Sequence, residues 1–372
     1  MNQTPIKENL IPQRAEAPKR PTDPKGGGDR AGLFVLLTSV IALILALSIL
    51  LLSFVKPLEK PTDESTDEPS TLAETDPPAH VAVTYPSSPS RDSYLLSGSG
   101  TAIDGSPISA DFAILVSLSD YSVMASLNAD AKIYPASMTK IMTLIVACEA
   151  IKDASVTLTV SDKTLEYCRK SDATVLAMDP LDRFTATDML YAVGVESAAD
   201  ACITLAEHIA GSEEAFVAMM NEKATALGLT KTNFANCTGL DSEENYSTAR
   251  EMATILAYAL DNPFCKEILS TDQRTILGYY DDGDTEKTYN RYLQNTLGSR
   301  LSGAGYEEKL PAKLSCGFTL LGAKTGYTDE GGYCLASFLE DSGGKLYITV
   351  TAKGDTAGSS ITDMEKIFEK HG

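Results

Sequence analysis

The stretch from Tyr134 to Thr143, YPASMTKIMT, constrains this chain more than any other. Pro135 suits the first turn of a helix, where a missing N–H costs little. Ile141, Leu144, Ile145 and Cys148 then recur at helical spacing, which predicts a buried helix. Ser137 and Lys140 stand three residues apart, so they are neighbours on one face at its start. There the positive end of the helix dipole and burial both lower an amine's pKa, so Lys140 can be neutral and take a proton from Ser137. The spelling Ser-x-x-Lys carries little alone, because it also occurs at Ser53…Lys56 and Ser342…Lys345. Only the middle copy precedes a buried helical pattern.

The rest of the composition removes competing chemistries. The chain has 31 Lys and Arg against 51 Asp and Glu, and beyond residue 56 the counts are 24 and 47. Nucleic acid binding needs a basic footprint that this surface lacks. Seven scattered cysteines without a C-x-x-C pair, and only three histidines, offer neither a metal site nor a redox dithiol. No cofactor is implied. The three histidines fall in a linker, a helix pattern and the tail, which does not suit a Ser-His-Asp machine.

Residues 1–30 are polar and aperiodic and are expected to be disordered. Residues 31–55 form an uncharged run long enough to span a bilayer, without an A-x-A-like cleavage site after it, and read as a transmembrane anchor. Basic residues precede it, so the N-terminus is assigned to the cytoplasm and the remainder to the outside of the cell membrane. Residues 56–95 are an acidic Pro/Ser/Thr-rich linker, and residues 96–372 are the globular domain. Within it the pattern predicts a hairpin at 112–127, helices near 199–210, 212–227 and 248–260, a capping box at Thr185-x-x-Asp188, strands near 318–324, 333–339 and 346–352, and a last helix near 361–370. Strands at both ends with helices between imply an α+β domain with one antiparallel sheet.

Two further elements complete a site. Lys324, Thr325 and Gly326 end a predicted strand, offering a cation, a hydroxyl and a close backbone approach for a substrate carboxylate. Ser197 lies between, in the polar turn Val195-Glu-Ser-Ala-Ala-Asp200 that feeds a helix. The order Ser-x-x-Lys, Ser, Lys-Thr-Gly is far more specific than its parts. With it, with Asn236-Cys-Thr-Gly-Leu-Asp241, with Tyr246-Ser-Thr-Ala-Arg250 and with Lys324-Thr-Gly-Tyr-Thr328, the chain resembles the serine D-alanyl-D-alanine carboxypeptidases, the low-molecular-mass penicillin-binding proteins, over about 105–372.

The resemblance implies a β-lactamase/penicillin-binding-protein-like antiparallel sheet flanked by helices. It implies Ser137 as nucleophile, Lys140 as acylation base, Ser197 as proton relay to the leaving D-alanine and Lys324 as electrostatic support. Thr325, Gly326 and Tyr327 would bind substrate, with the amides of Ser137 and Tyr327 forming the oxyanion hole. Ala199 stands in this substrate-binding set where the family's middle motif usually has Asn, a departure that implies slower turnover. Stem peptides of peptidoglycan are the implied substrates and β-lactams the implied acylating inhibitors. Endopeptidase or transpeptidase action would use the same acyl-enzyme, and Ala199 also admits a non-catalytic muropeptide- or penicillin-binding protein. A β-lactamase fits less well, because no Glu-x-x-Leu-Asn-type motif lies between the second and third elements. Oligomeric state is not encoded in any of these patterns.

Overall fold

The computed structural model describes residues 94–281, 283 and 285–372. The tail at 1–30, the apolar span at 31–55 and the linker up to residue 93 lie outside the described residues. Among the described residues no helix is long and apolar enough to cross a membrane. Tyr94, assigned to the linker by sequence, is buried and its hydroxyl donates to Asp261 Oδ2 at 2.5 Å.

The domain begins with β1 (Thr101–Ala102) and the hairpin of β2 (Phe112–Ser117) and β3 (Val123–Leu127). Asp120 Oδ1 closes that hairpin by accepting from the Ser122 amide at 3.1 Å. A 3-10 turn at Ala136–Thr139 leads into α1 (Lys140–Ala150), then β4 (Thr157–Thr159), α2 (Asp162–Lys170) and β5 (Arg183–Thr185). Helix α3 (Ala186–Tyr191) runs through a π-turn at Ala192–Glu196 to α4 (Ala199–Ala210) and α5 (Glu213–Ala226). Helices α6 (Ala249–Asp261) and α7 (Pro263–Ser270) precede the hairpin β6 (Gln273–Asp281) and β7 (Glu286–Gln294). Helix α8 (Gly298–Gly303), the strands β8 (Ala312–Lys313), β9 (Thr319–Thr328), β10 (Gly332–Glu340) and β11 (Leu346–Gly354), and α9 (Ser359–His371) complete it.

Seven strands form one sheet in the order β1-β3-β2-β11-β10-β9-β8, antiparallel except for the short β1–β3 pairing. Both of its faces are covered. Ile114 and Val116 of β2 join the larger core with α1, α4 and α6, whereas Ala113 and Leu115 face a second core built with α8 and α9. Period-2 alternation thus becomes two buried faces. Helix starts follow local chemistry. Thr185 Oγ1 accepts from the Asp188 amide at 3.1 Å, as the capping box requires, and Thr248 and Ser212 cap α6 and α5 in the same way. The seven cysteines are free thiols, with only Cys316 partly exposed.

The sheets themselves depart from the sequence expectation at two points. A second, four-stranded sheet, β4-β5-β6-β7, joins the first. Its long hairpin escapes notice because Ile276 and Leu277 are adjacent apolar residues on opposite faces, which blurs the alternation. Lys324, Thr325 and Gly326 also do not end a strand, since β9 continues to Thr328.

Candidate active site

Ser137 sits in the 3-10 turn, one residue after Ala136, whose backbone is left-handed at φ +49°. An L-residue holds that conformation at a cost of order 1–3 kcal/mol, so its surroundings must impose it. They do so by crowding. A Cβ on Gly239 would meet Ala136 O at 2.0 Å, and one on Gly326 would meet Pro135 O and Ser137 N at 3.0 Å. Only glycines let the 236–241 loop and strand β9 press against the serine turn.

Lys140 opens α1 and is 3% exposed. Its Nζ donates to Ser137 Oγ at 3.0 Å and to Thr238 O at 2.5 Å. Thr238 is in turn fixed by Asn236, whose Oδ1 accepts from the Thr238 hydroxyl and from the amides of Thr238 and Gly239. Burial pushes the Lys140 amine below the usual lysine range, partly opposed by Cys202 and Cys237. Lys324, 1% exposed on β9, is pushed down well below that range by burial, with Lys140 and Arg300 adding like-charge repulsion. Cys202 lies within electrostatic reach of both lysines.

Thr325 Oγ1 is 2.7 Å from Thr296 Oγ1, and the Thr296 amide donates to Val195 O at 3.1 Å. Thr296 therefore ties the Lys324-Thr325-Gly326 strand to the turn that carries Ser197. Ser197 is 5% exposed and left-handed at φ +64°, so it ends the π-turn rather than capping a helix. Tyr327 stands at the rim, half exposed, its ring 4.5 Å from that of Tyr333.

Ala199 takes the place of the family's usual Asn. It is 1% exposed, its amide donates to Thr174 O, and its methyl belongs to the larger core. The flanking acids have partners of their own. Glu196 pairs with Arg291 at 3.1 Å, and Asp200 Oδ1 accepts from the Leu176 and Ala201 amides. Burial raises both carboxyl pKa values.

Thr238, Thr296 and Arg300 carry geometry that sequence reasoning missed. Arg300 of α8 is 4% exposed and donates to Gly326 O and Cys334 O at 2.7 Å and to Ser360 Oγ at 3.0 Å. Among the described residues no carboxylate pairs with it, and burial pushes its guanidinium down to about 10. Nothing in its neighbourhood spells a motif. The 236–241 segment did carry a signal, an Asn three residues before a Gly. Among the described residues no cluster of three or more His, Cys, Asp or Glu side chains could hold a metal ion.

A family model described as D-alanyl-D-alanine carboxypeptidase matches residues 100–355. The chain belongs to that family. It is 34% identical over 230 residues to the D-alanyl-D-alanine carboxypeptidase DacF of Bacillus subtilis (strain 168), covering 61% of this chain and 53% of that relative. The chain thus spans about half of that relative's length. Penicillin binding protein 5 from Haemophilus influenzae superimposes with a TM-score of 0.60 at 26% identity over 72% of each chain. The Streptomyces K15 DD-transpeptidase, at 23% identity, gives a TM-score of 0.61 over 71% of this chain and 97% of that one, which shows the shared fold. The family's α+β architecture, an antiparallel sheet with helices on both faces, is the architecture expected from the sequence.

Proposed function

We propose that this D-alanyl-D-alanine carboxypeptidase family member is a serine D,D-carboxypeptidase that removes the terminal D-alanine of peptidoglycan stem peptides. The observation that carries the reading is the 3.0 Å contact between Ser137 Oγ and the buried Lys140 amine. Burial lowers the pKa of the Lys140 amine, which favours its acting as the proton acceptor. Ser137 Oγ attacks the carbonyl of the penultimate D-alanine while its proton passes to Lys140. The amides of Ser137 and Tyr327 hold the resulting oxyanion, each such donor being typically worth ~3 kcal/mol. Ser197 relays the proton from Lys140 to the departing amine as the C–N bond breaks, and D-alanine leaves. Lys324 and Thr325 hold the substrate's carboxylate end. Water then cleaves the ester and restores the serine.

In the same reading residues 31–55 anchor the chain in the cell membrane, with the N-terminus cytoplasmic, and residues 56–95 tether a domain that works outside. β-Lactams, as mimics of the scissile amide, acylate Ser137. A second reading is favoured by one observation, the buried methyl of Ala199. A protein lacking the family's usual Asn could bind muropeptide or penicillin without turning peptide over.

Incubation with fluorescent penicillin and, separately, with an acyl-D-Ala-D-Ala peptide distinguishes the two. The expected result is a covalent adduct that Ser137→Ala abolishes, together with free D-alanine. An adduct without D-alanine favours the binding protein, and no adduct at all sinks both readings.

A further inference from the structure

The hairpin β6–β7 has one packed face and one open face. Ile276 and Leu293 point into the core. On the other side Gln273 pairs with Gln294, Thr275 with Tyr292 and Leu277 with Asn290, and directly paired residues share a face. All six are exposed, Tyr292 by 47% and Leu277 by 37%. In a chain of net charge −20 this stripe carries no charge. The ionic groups on this face of the hairpin, Asp281 and Glu286, lie at its far end, where Arg183 binds both, at 2.8 and 2.6 Å.

The stripe leads toward Thr325. Thr296, bonded to Thr325, follows Gln294 by two residues and Tyr292 by four, about 13 Å along an extended chain. Loss of charge with retention of Tyr marks contact surfaces. Here the contact must be polar, because only Leu277 and Tyr292 are large apolar groups. Each amide of Gln273, Asn290 and Gln294 offers both donor and acceptor, and a tyrosine ring offers a flat apolar plane. An uncharged sugar bearing hydroxyl and acetamido groups presents the complementary set.

We propose that the open face of β6–β7 is a docking surface for the uncharged glycan strand to which the stem peptide is attached. The inference rests on the proposed substrate class. It makes the hairpin a guide that lays the strand beside Thr325 so that a peptide branching from it reaches Ser137.

The test uses the full-length chain and chitin particles, insoluble uncharged chains of acetamido sugars. The native chain is expected to co-sediment with them, and Tyr292→Ala and Leu277→Glu each to lower retention by about fivefold or more. Turnover of a glycan-linked stem peptide falls in step, while turnover of a short soluble acyl-D-Ala-D-Ala peptide stays within about twofold. No retention of the native chain, or equal retention of both variants, overturns the proposal. Retention unchanged alongside self-association that Tyr292→Ala abolishes overturns it in favour of a protein partner. Failure of the native chain to release D-alanine from the short peptide strikes at the proposed function instead and leaves the sedimentation result standing.

Discussion

The turns that carry Ser137 and Ser197 are held in opposite ways. The turn at 136–140 is braced from inside the site, by Gly239 and Gly326 pressed against its backbone and by Lys140 bonded to Ser137 and Thr238. The turn at 195–200 is braced from outside, by Arg291 on Glu196, by the 174–176 segment on Ala199 and Asp200, and by Thr296 on Val195. Both place a residue in left-handed backbone, Ala136 and Ser197. The contrast teaches that Ser137 and Lys140 are fixed by a bond between them and by backbone pressed directly on their turn, whereas Ser197 is fixed through contacts to its chain neighbours. Changes near Ala199 can therefore tune the site without dismantling the first turn.

The largest effect that would break this comparison comes from Lys140→Met. Loss of a general base predicts a fall in penicillin acylation of about 10²–10⁴-fold. The same change should stabilise the fold near neutral pH. A buried amine with a depressed pKa binds fewer protons folded than unfolded, so it destabilises below the unfolded value of about 10.4, and the penalty fades as pH rises toward that value. Thermal melts at about pH 7 and about pH 10 should show the variant's advantage shrinking with pH. An advantage that grows with pH refutes the buried neutral amine.

Gly239→Ala comes next. Its methyl must displace the Ala136 carbonyl, so acylation should drop by about tenfold or more, since misplacement of about 1 Å can cost 10²-fold. Gly211→Ala is the control. It has a similar positive φ but no atom within 4 Å of the added carbon, so it should cost only stability, of order 1 kcal/mol. Equal acylation in the two variants would show that internal bracing does not position Ser137.

Arg300→Gln should act more gently and more specifically. It removes a like charge that helps push the Lys324 amine down, so any limb of the acylation pH profile that Lys324 sets should move to higher pH, and Arg300→Lys should restore it. A uniform rate loss without a shifted limb means that Arg300 only holds Gly326 in place. The smallest effect belongs to the outer turn. Ala199→Asn should raise peptide turnover by about fivefold, the worth of one hydrogen bond, and an unchanged rate would show a site adapted around alanine.

How much of this was readable in advance follows from where the signals live. Helix α1, the strands near Lys324 and the capping box at Thr185 were legible because burial periodicity and caps are local. The β6–β7 hairpin was not, because its outward face hides the alternation. Ser197 reads in sequence as part of a polar turn feeding a helix, yet its left-handed backbone depends on a π-turn that has no spelling of its own. Arg300 could not be foreseen at all. Its partners lie 26, 34 and 60 residues away, and its role arises from three segments meeting around one side chain.

The cysteines carry a practical corollary. Six of the seven are shut inside the domain, and desolvation lifts Cys168 and Cys202 to about 12, which leaves almost no thiolate for an alkylating reagent to find. Only Cys316 should take up maleimide while the domain is intact. Each later adduct, mapped by mass spectrometry, would then time the opening of the segment that sheltered it, with Cys202 marking the moment the lysine pair meets water.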